Sequence, residues 1–87
     1  MRRRALGEEG EMRDERMAVF AAAYEKGSIA AAARCLGIPY QGALRRVRDL
    51  EGELGGDLFV RAPWGVVPTP LGQEVRAGLD REAGGEG

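Results

Sequence analysis

The chain has no histidine and a single cysteine, Cys35. The first absence removes the usual zinc-finger ligand sets and any histidine acid–base catalyst, and the second excludes an internal disulfide. No apolar run approaches the ~20 residues that a membrane span needs. Arg2-Arg3-Arg4 is followed by Ala5-Leu6-Gly7 rather than the apolar core of a signal peptide, so the expected location is the cytoplasm. There is no phosphate-binding loop and no pair of carboxylates in a plausible pocket, so no catalytic residue, metal ligand or cofactor is assigned and the enzyme class is set aside. Excess charge is also lacking: a net charge of −1 over 87 residues gives no general attraction to nucleic acid, and binding of that kind must come from local charge.

Locally the charge does separate. Five basic residues (Lys26, Arg34, Arg45, Arg46 and Arg48) and no acidic ones lie between Lys26 and Arg48. Acids gather outside that stretch, at Glu8, Glu9, Glu11, Asp14 and Glu15 before it and at Glu82 and Glu86 near the end. A hydrophobic content of 44% supports a folded core, although a chain this short buries only about 60% of its unfolded surface.

The basic stretch reads as two helices joined by a turn. Ser28 is placed to cap the first, an alanine-rich segment whose small side chains allow close helix approach. Gly37 supplies the positive φ that ends it. Pro39 sits at the entrance to the second helix, where Ala43, Val47, Leu50 and Leu54 recur at helical spacing as a buried face. Gln41, Arg45, Arg48 and Gly52 fall on the opposite side. Two helices about a glycine turn, the second bearing exposed arginines, are the anatomy of a DNA-binding helix-turn-helix. Cys35 is read as a small buried residue, with a redox switch as the alternative.

Residues 1–11 show no apolar periodicity and are expected to form an unstructured arm; Met12 and Met17 leave a later translation start open. Arg2-Arg3-Arg4 suits either plain solvation or a minor-groove contact. Met17, Phe20 and Ala23-Tyr24 mark a helix from Met12 to Lys26, stopped at Gly27. After Gly55-Gly56 the period changes. Asp57 to Arg61 reads as a strand, Ala62-Pro63-Trp64-Gly65 as a turn, and Val66-Val67 as an edge strand ended by Pro68, so a two-stranded wing is expected. Trp64 at its tip either folds back over apolar surface or meets DNA or a partner.

Thr69-Pro70 starts a fourth helix, with Leu71, Val75 and Leu79 on one apolar face. Its expected end is Ala83, followed by a frayed tail over 84–87. The fold class is therefore mainly α, three helices plus a wing plus a fourth helix, in one domain over 12–83. The expected core comprises Phe20, Ala32, Leu36, Val47, Leu50, Leu54, Leu58 and Phe59. The Leu71, Val75, Leu79 stripe is expected either to pair with a second copy as a homodimer or to fold back on Met17 and Phe20.

At Phe20, Gly27-Ser28, Ala32-Ala33, Leu36-Gly37, Leu50-Glu51, Leu54-Gly55, Leu58-Phe59, Arg61 and Thr69-Pro70-Leu71-Gly72 the sequence closely resembles the N-terminal winged helix-turn-helix of LysR-type transcriptional regulators. The match runs without a gap from Met17 to Leu79, roughly three quarters of the chain. Residues Gly37 to Leu44 look more like the molybdate-responsive ModE-type regulators, which share that architecture. The resemblance implies a dimerising transcription factor that binds double-stranded DNA. Carried over by position, Tyr40, Gln41, Leu44 and Arg45 occupy recognition-helix sites, Ser28 caps the scaffold helix near the DNA backbone, and the wing from Arg61 to Val67 lies along a groove.

Departures from the family pattern stand beside the match. Pro39 and Leu44 replace the usual serines, and the wing offers only Arg61 where basic residues are common. The chain ends where the family's linker helix leads toward a ligand-sensing domain, so no small-molecule effector domain is expected within it. The expected DNA-binding residues are Ser28, Arg34, Tyr40, Gln41, Leu44, Arg45, Arg48, Arg61 and Trp64. Among them Gln41 suits an adenine edge, and Arg45 and Arg48 suit a guanine and a phosphate. The alternatives are a solvated helix with an Arg45–Asp49 surface pair, and a protein-interaction module built on the same scaffold.

Overall fold

A computed structural model describes residues 15–86, with side chains described as far as Arg81. The expected arm and Met12 lie outside this range. Helix α1 covers 15–26. It is followed by α2 (Ile29–Leu36), α3 (Tyr40–Leu54), β1 (Phe59–Ala62), β2 (Gly65–Pro68) and α4 (Pro70–Glu86).

The local signals act as their chemistry requires. The Ser28 hydroxyl accepts from the Ala31 N–H at 3.1 Å and caps α2. At the other end Gly37 adopts φ 70°, ψ 33°, and its N–H and that of Ile38 turn back to the Arg34 and Ala33 carbonyls. A residue with a Cβ pays a steric penalty in that left-handed conformation, so glycine at 37 sets the corner between α2 and α3. Pro39 is the N-cap of α3 and makes no side-chain capping bond. Its fixed φ of −66° still delivers the chain into the helix.

The wing is an antiparallel pair in which Phe59, Val60, Arg61 and Ala62 face Pro68, Val67, Val66 and Gly65. Only Pro63 and Trp64 remain as the loop, a shorter turn than composition indicated. Leu58 precedes the sheet rather than joining it. Its N–H donates to Glu51 Oε2 at 2.8 Å, and its carbonyl accepts from Thr69 N at 2.9 Å.

The core gathers Val19, Phe20 and Ala23 of α1, Ile29, Ala32 and Ala33 of α2, Ala43, Val47 and Leu50 of α3, and Leu58, Phe59 and Val66 from the wing. Phe20 is its centre, with ring centroids 5.5 Å from Phe59 and 5.9 Å from Tyr24. Six of the eight expected core residues are buried here.

Leu36 and Leu54 are not: they are 39% and 42% exposed. Both carry the right helical phase but occupy the last position of their helices, where the helix outruns the element it packs against. Cys35 is exposed as well, against expectation, because it lies off the face that carries Ile29, Ala32 and Ala33.

Helix α4 continues to Glu86, beyond the expected stop at Ala83. Extending an established helix fixes one residue for each new hydrogen bond, so glycines at 84 and 85 weaken the last turn without forbidding it. Leu71, Val75 and Leu79 are half-buried and pack against the core. Arg76 anchors the same helix to α1, bonding Glu25 at 3.3 Å and lying 5.5 Å from the Tyr24 ring centroid. The stripe is thus partly covered by its own core and keeps a partly exposed edge. No helix among the described residues is long and apolar enough to cross a membrane.

Candidate nucleic-acid interface

The arginines of the described residues divide into two groups. Arg16 bonds Glu53 at 3.2 Å, Arg46 bonds Glu15 at 3.1 Å, and Arg76 bonds both Glu25 and Asp80. Arg46 additionally donates to the Gly42 carbonyl at 3.0 Å, which holds it along the α1 side of α3. These cations belong to the scaffold.

Arg34, Arg45, Arg48, Arg61 and Arg81 form no ion pair among the described residues, and all five are exposed; Arg81 lies far along α4, away from α3 and the wing in the chain. The Arg45–Asp49 surface pair is absent from this set. Arg45 and Arg48 stand with Gln41 on the side of α3 opposite Ala43, Val47 and Leu50. That side is a row of one glutamine and two guanidinium groups facing water.

Between α3 and the wing runs a shallow groove made of two adjoining depressions. The first, about 240 Å³, includes Leu44, Arg48, Glu51, Asp57, Val60 and Arg61 in its walls. The second, about 300 Å³, is bounded by Ser28, Ala30, Tyr40, Arg61, Pro63 and Trp64. Arg61 lines both. Its side of β1 is the one paired with buried Val66, so it projects toward the helices, and its Nη2 donates to Tyr40 Oη at 3.4 Å. Of the expected site residues the structure therefore brings Ser28, Tyr40, Leu44, Arg48, Arg61 and Trp64 to one groove. Gln41 and Arg45 occupy the adjacent helix face, and Arg34 stands apart late in α2.

Of its two readings, Trp64 does not take the one in which it folds back over apolar surface: it is 74% exposed. The wing tip itself is seated on backbone. Gly65 packs its backbone directly against Gly27, and Val66 N–H donates to the Gly27 carbonyl at 2.9 Å.

Two tethers went unread in the sequence. Glu51 binds the Leu58 N–H, and the Thr69 hydroxyl donates to the Asp57 carbonyl at 2.6 Å while accepting from Gly72 N at 3.0 Å. Together they fix the wing relative to the recognition helix. The capping half of Thr69's role was legible from Thr69-Pro70. A tie between an α3 carboxylate and a backbone N–H seven residues on has no periodic signature. Glu51→Ala is expected to leave that partly buried N–H without its partner and to cost about 1–2 kcal/mol, read as a lowered denaturation midpoint. An unchanged midpoint removes the tether from the account.

Two helices about a glycine corner, an antiparallel hairpin seated beside them, and an unpaired cationic face on the second helix define a winged helix-turn-helix protein. The sequence family described as "Bacterial regulatory helix-turn-helix protein, lysR family" matches residues 15–73, and the chain belongs to that family. Among curated proteins it is similar to the HTH-type transcriptional regulator AbaB of Streptomyces antibioticus, at 38% identity over 56 residues. That match covers 64% of this chain and 19% of AbaB, so the chain spans about a fifth of that relative's length. The crystal structure of the CbnR DNA-binding domain in complex with DNA is similar at 30% identity and a TM-score of 0.73, over 83% of this chain and 85% of that one. CbnR itself, described as a LysR family transcriptional regulator, gives the same identity and score over 26% of its chain.

Proposed function

We propose that this chain binds duplex DNA as the DNA-binding part of a transcriptional regulator, with α3 in the major groove and the wing along the neighbouring backbone. The observation that carries the reading is the division of the arginines. Arg16, Arg46 and Arg76 are neutralised by carboxylates of the scaffold, whereas Arg45 and Arg48 on the outer face of α3 and Arg61 on the wing have no ion-pair partner among the described residues and are left for an outside anion. The similarity to the CbnR domain, which was solved in complex with DNA, supports DNA as the partner.

Gln41 and Arg45 lie at the exposed start of α3 and are assigned to base edges, an adenine and a guanine. Arg48, Arg61 and Arg34 supply phosphate contacts, Ser28 sits at the backbone, Leu44 meets a thymine methyl, and Trp64 packs on deoxyribose. Tyr40-Gln41-Gly42-Ala43-Leu44 gives the start of α3 its ModE-like character. This is a binding protein rather than an enzyme, and we place it in the cytoplasm with its DNA. Pairing of two copies through α4 would use the half-buried edges of Leu71, Val75 and Leu79. Two-fold symmetry would then call for an inverted repeat with half-sites about one helical turn apart.

Selection from random duplexes tests base reading. Wild type is expected to enrich one short motif, and Arg45→Ala to weaken binding and blur one position of it, at about 1–3 kcal/mol of lost discrimination. Enrichment of no motif by wild type overturns the base assignments. A second reading is favoured by the exposed Trp64 and Val60 on the wing: a protein-interaction module, which gains if no duplex is bound.

A further inference from the structure

Tyr40 and Arg61 come from different elements and meet across the groove, the first residue of the recognition helix with the central cation of the wing. We propose that Tyr40 acts as a positioning residue for Arg61: its phenol oxygen holds the wing guanidinium over the recognition-helix groove, so that wing and helix engage DNA as one rigid surface. The inference rests on the DNA-binding reading and extends it from a set of contacts to a coupling between two of them.

Three features favour a positioning role over an incidental contact. Arg61 has no carboxylate partner in an ion pair among the described residues, although Glu51 and Asp57 line the same depression; the phenol is its one side-chain hydrogen-bond partner among them. Both backbones are fixed from outside the pair. Pro39 caps α3 immediately before Tyr40, and the wing is held by the Val66–Gly27 and Leu58–Glu51 bonds. Arg61 also lines both halves of the groove, so its long side chain can turn to either. A free arginine would sample those directions and lose rotamer entropy on binding. A neutral acceptor restricts it while leaving its charge available, which a carboxylate would not.

The test is a double-mutant cycle on the full chain. Tyr40→Phe, Arg61→Gln and the double variant are titrated against a duplex from the random selection at several salt concentrations. Thermal melting of each variant runs alongside.

Positioning predicts that Tyr40→Phe weakens binding about fivefold, the scale of ordering one long side chain at an interface, with the salt slope and melting temperature unchanged. Arg61→Gln should flatten the slope by about 0.9, the value of one phosphate contact. Once Arg61 is gone, Tyr40→Phe should have no further effect. Additive losses overturn the proposal and assign Tyr40 its own DNA contact. A Tyr40→Phe variant that binds like wild type overturns it too, as does one whose weakened binding follows a lowered melting temperature. Failure of wild type to bind any duplex overturns this inference together with the reading it rests on, whereas wild-type binding with additive losses overturns this inference alone.

Discussion

Leu50→Ala is expected to destabilise the domain by about 2–5 kcal/mol, the range for truncating a fully buried leucine. Leu50 is 2% exposed and is among the largest fully buried side chains, with Phe20, Leu58 and Val19. Leu50 belongs to the buried cluster that joins α1, α2, α3 and the wing, so its truncation opens a gap inside that cluster. Domains of this size hold roughly 5 kcal/mol or a little more, so the variant should be substantially unfolded at moderate temperature. Leu54→Ala, one turn later on the same face, should change stability by less than about 1 kcal/mol, because that side chain is already 42% exposed. Denaturant titration of both variants checks the contrast. Equal losses would mean that the core extends to the end of α3, contrary to the packing described.

Gly65→Ala should be nearly as damaging, for a different reason. Gly65 has φ 149°, outside the range that L side chains readily adopt, and the place of an added Cβ is taken by the Gly27 carbonyl. The wing would have to lift away from the α1–α2 corner and surrender the Val66 N–H bond to Gly27. Backbone strain and the lost bond together should cost roughly 2–4 kcal/mol. Because the tip is what the bond holds, the Val66 amide should also lose its protection against hydrogen exchange while amides in α1 to α3 keep theirs. A variant with wild-type stability and a protected Val66 amide would show that the wing is not seated through this glycine.

The legible parts of the fold were those written in short-range chemistry. As helix caps Ser28, Gly37 and Thr69-Pro70 each act within four residues of their own position, and all three mark real helix ends. Helical period found Phe20, Ala32, Val47 and Leu50 because each sits mid-helix, where phase and burial coincide. Leu36 and Leu54 share that phase and are exposed, since period does not say how far the opposing surface extends. Cys35 was assigned by residue type rather than phase, and its phase puts it outside.

The site follows the same rule. Gln41, Arg45 and Arg48 could be placed on one face by counting, whereas the Tyr40–Arg61 bond and the Glu51–Leu58 tether join residues 21 and seven positions apart across a change of secondary structure. The division of arginines was equally out of reach. Arg46 and Arg48 are two residues apart in a basic run, and only the position of α1 shows that Arg46 belongs to Glu15. The seating of the wing tip needed the closest detail, because it depends on the backbones of Gly65 and Gly27 approaching each other.

In the proposed function the unpaired arginines, and not net charge, hold the DNA. Titration of wild type against duplex DNA over a range of salt concentrations tests it most directly. With Arg34, Arg48 and Arg61 as about three phosphate contacts per chain, log K against log salt should fall with a slope near −2.7. Binding should be modest for a single copy, since the chain carries no excess positive charge to add to those contacts. Affinity at low salt with that slope is the predicted result. No binding to any duplex at low salt, or binding that ignores salt, would contradict the account.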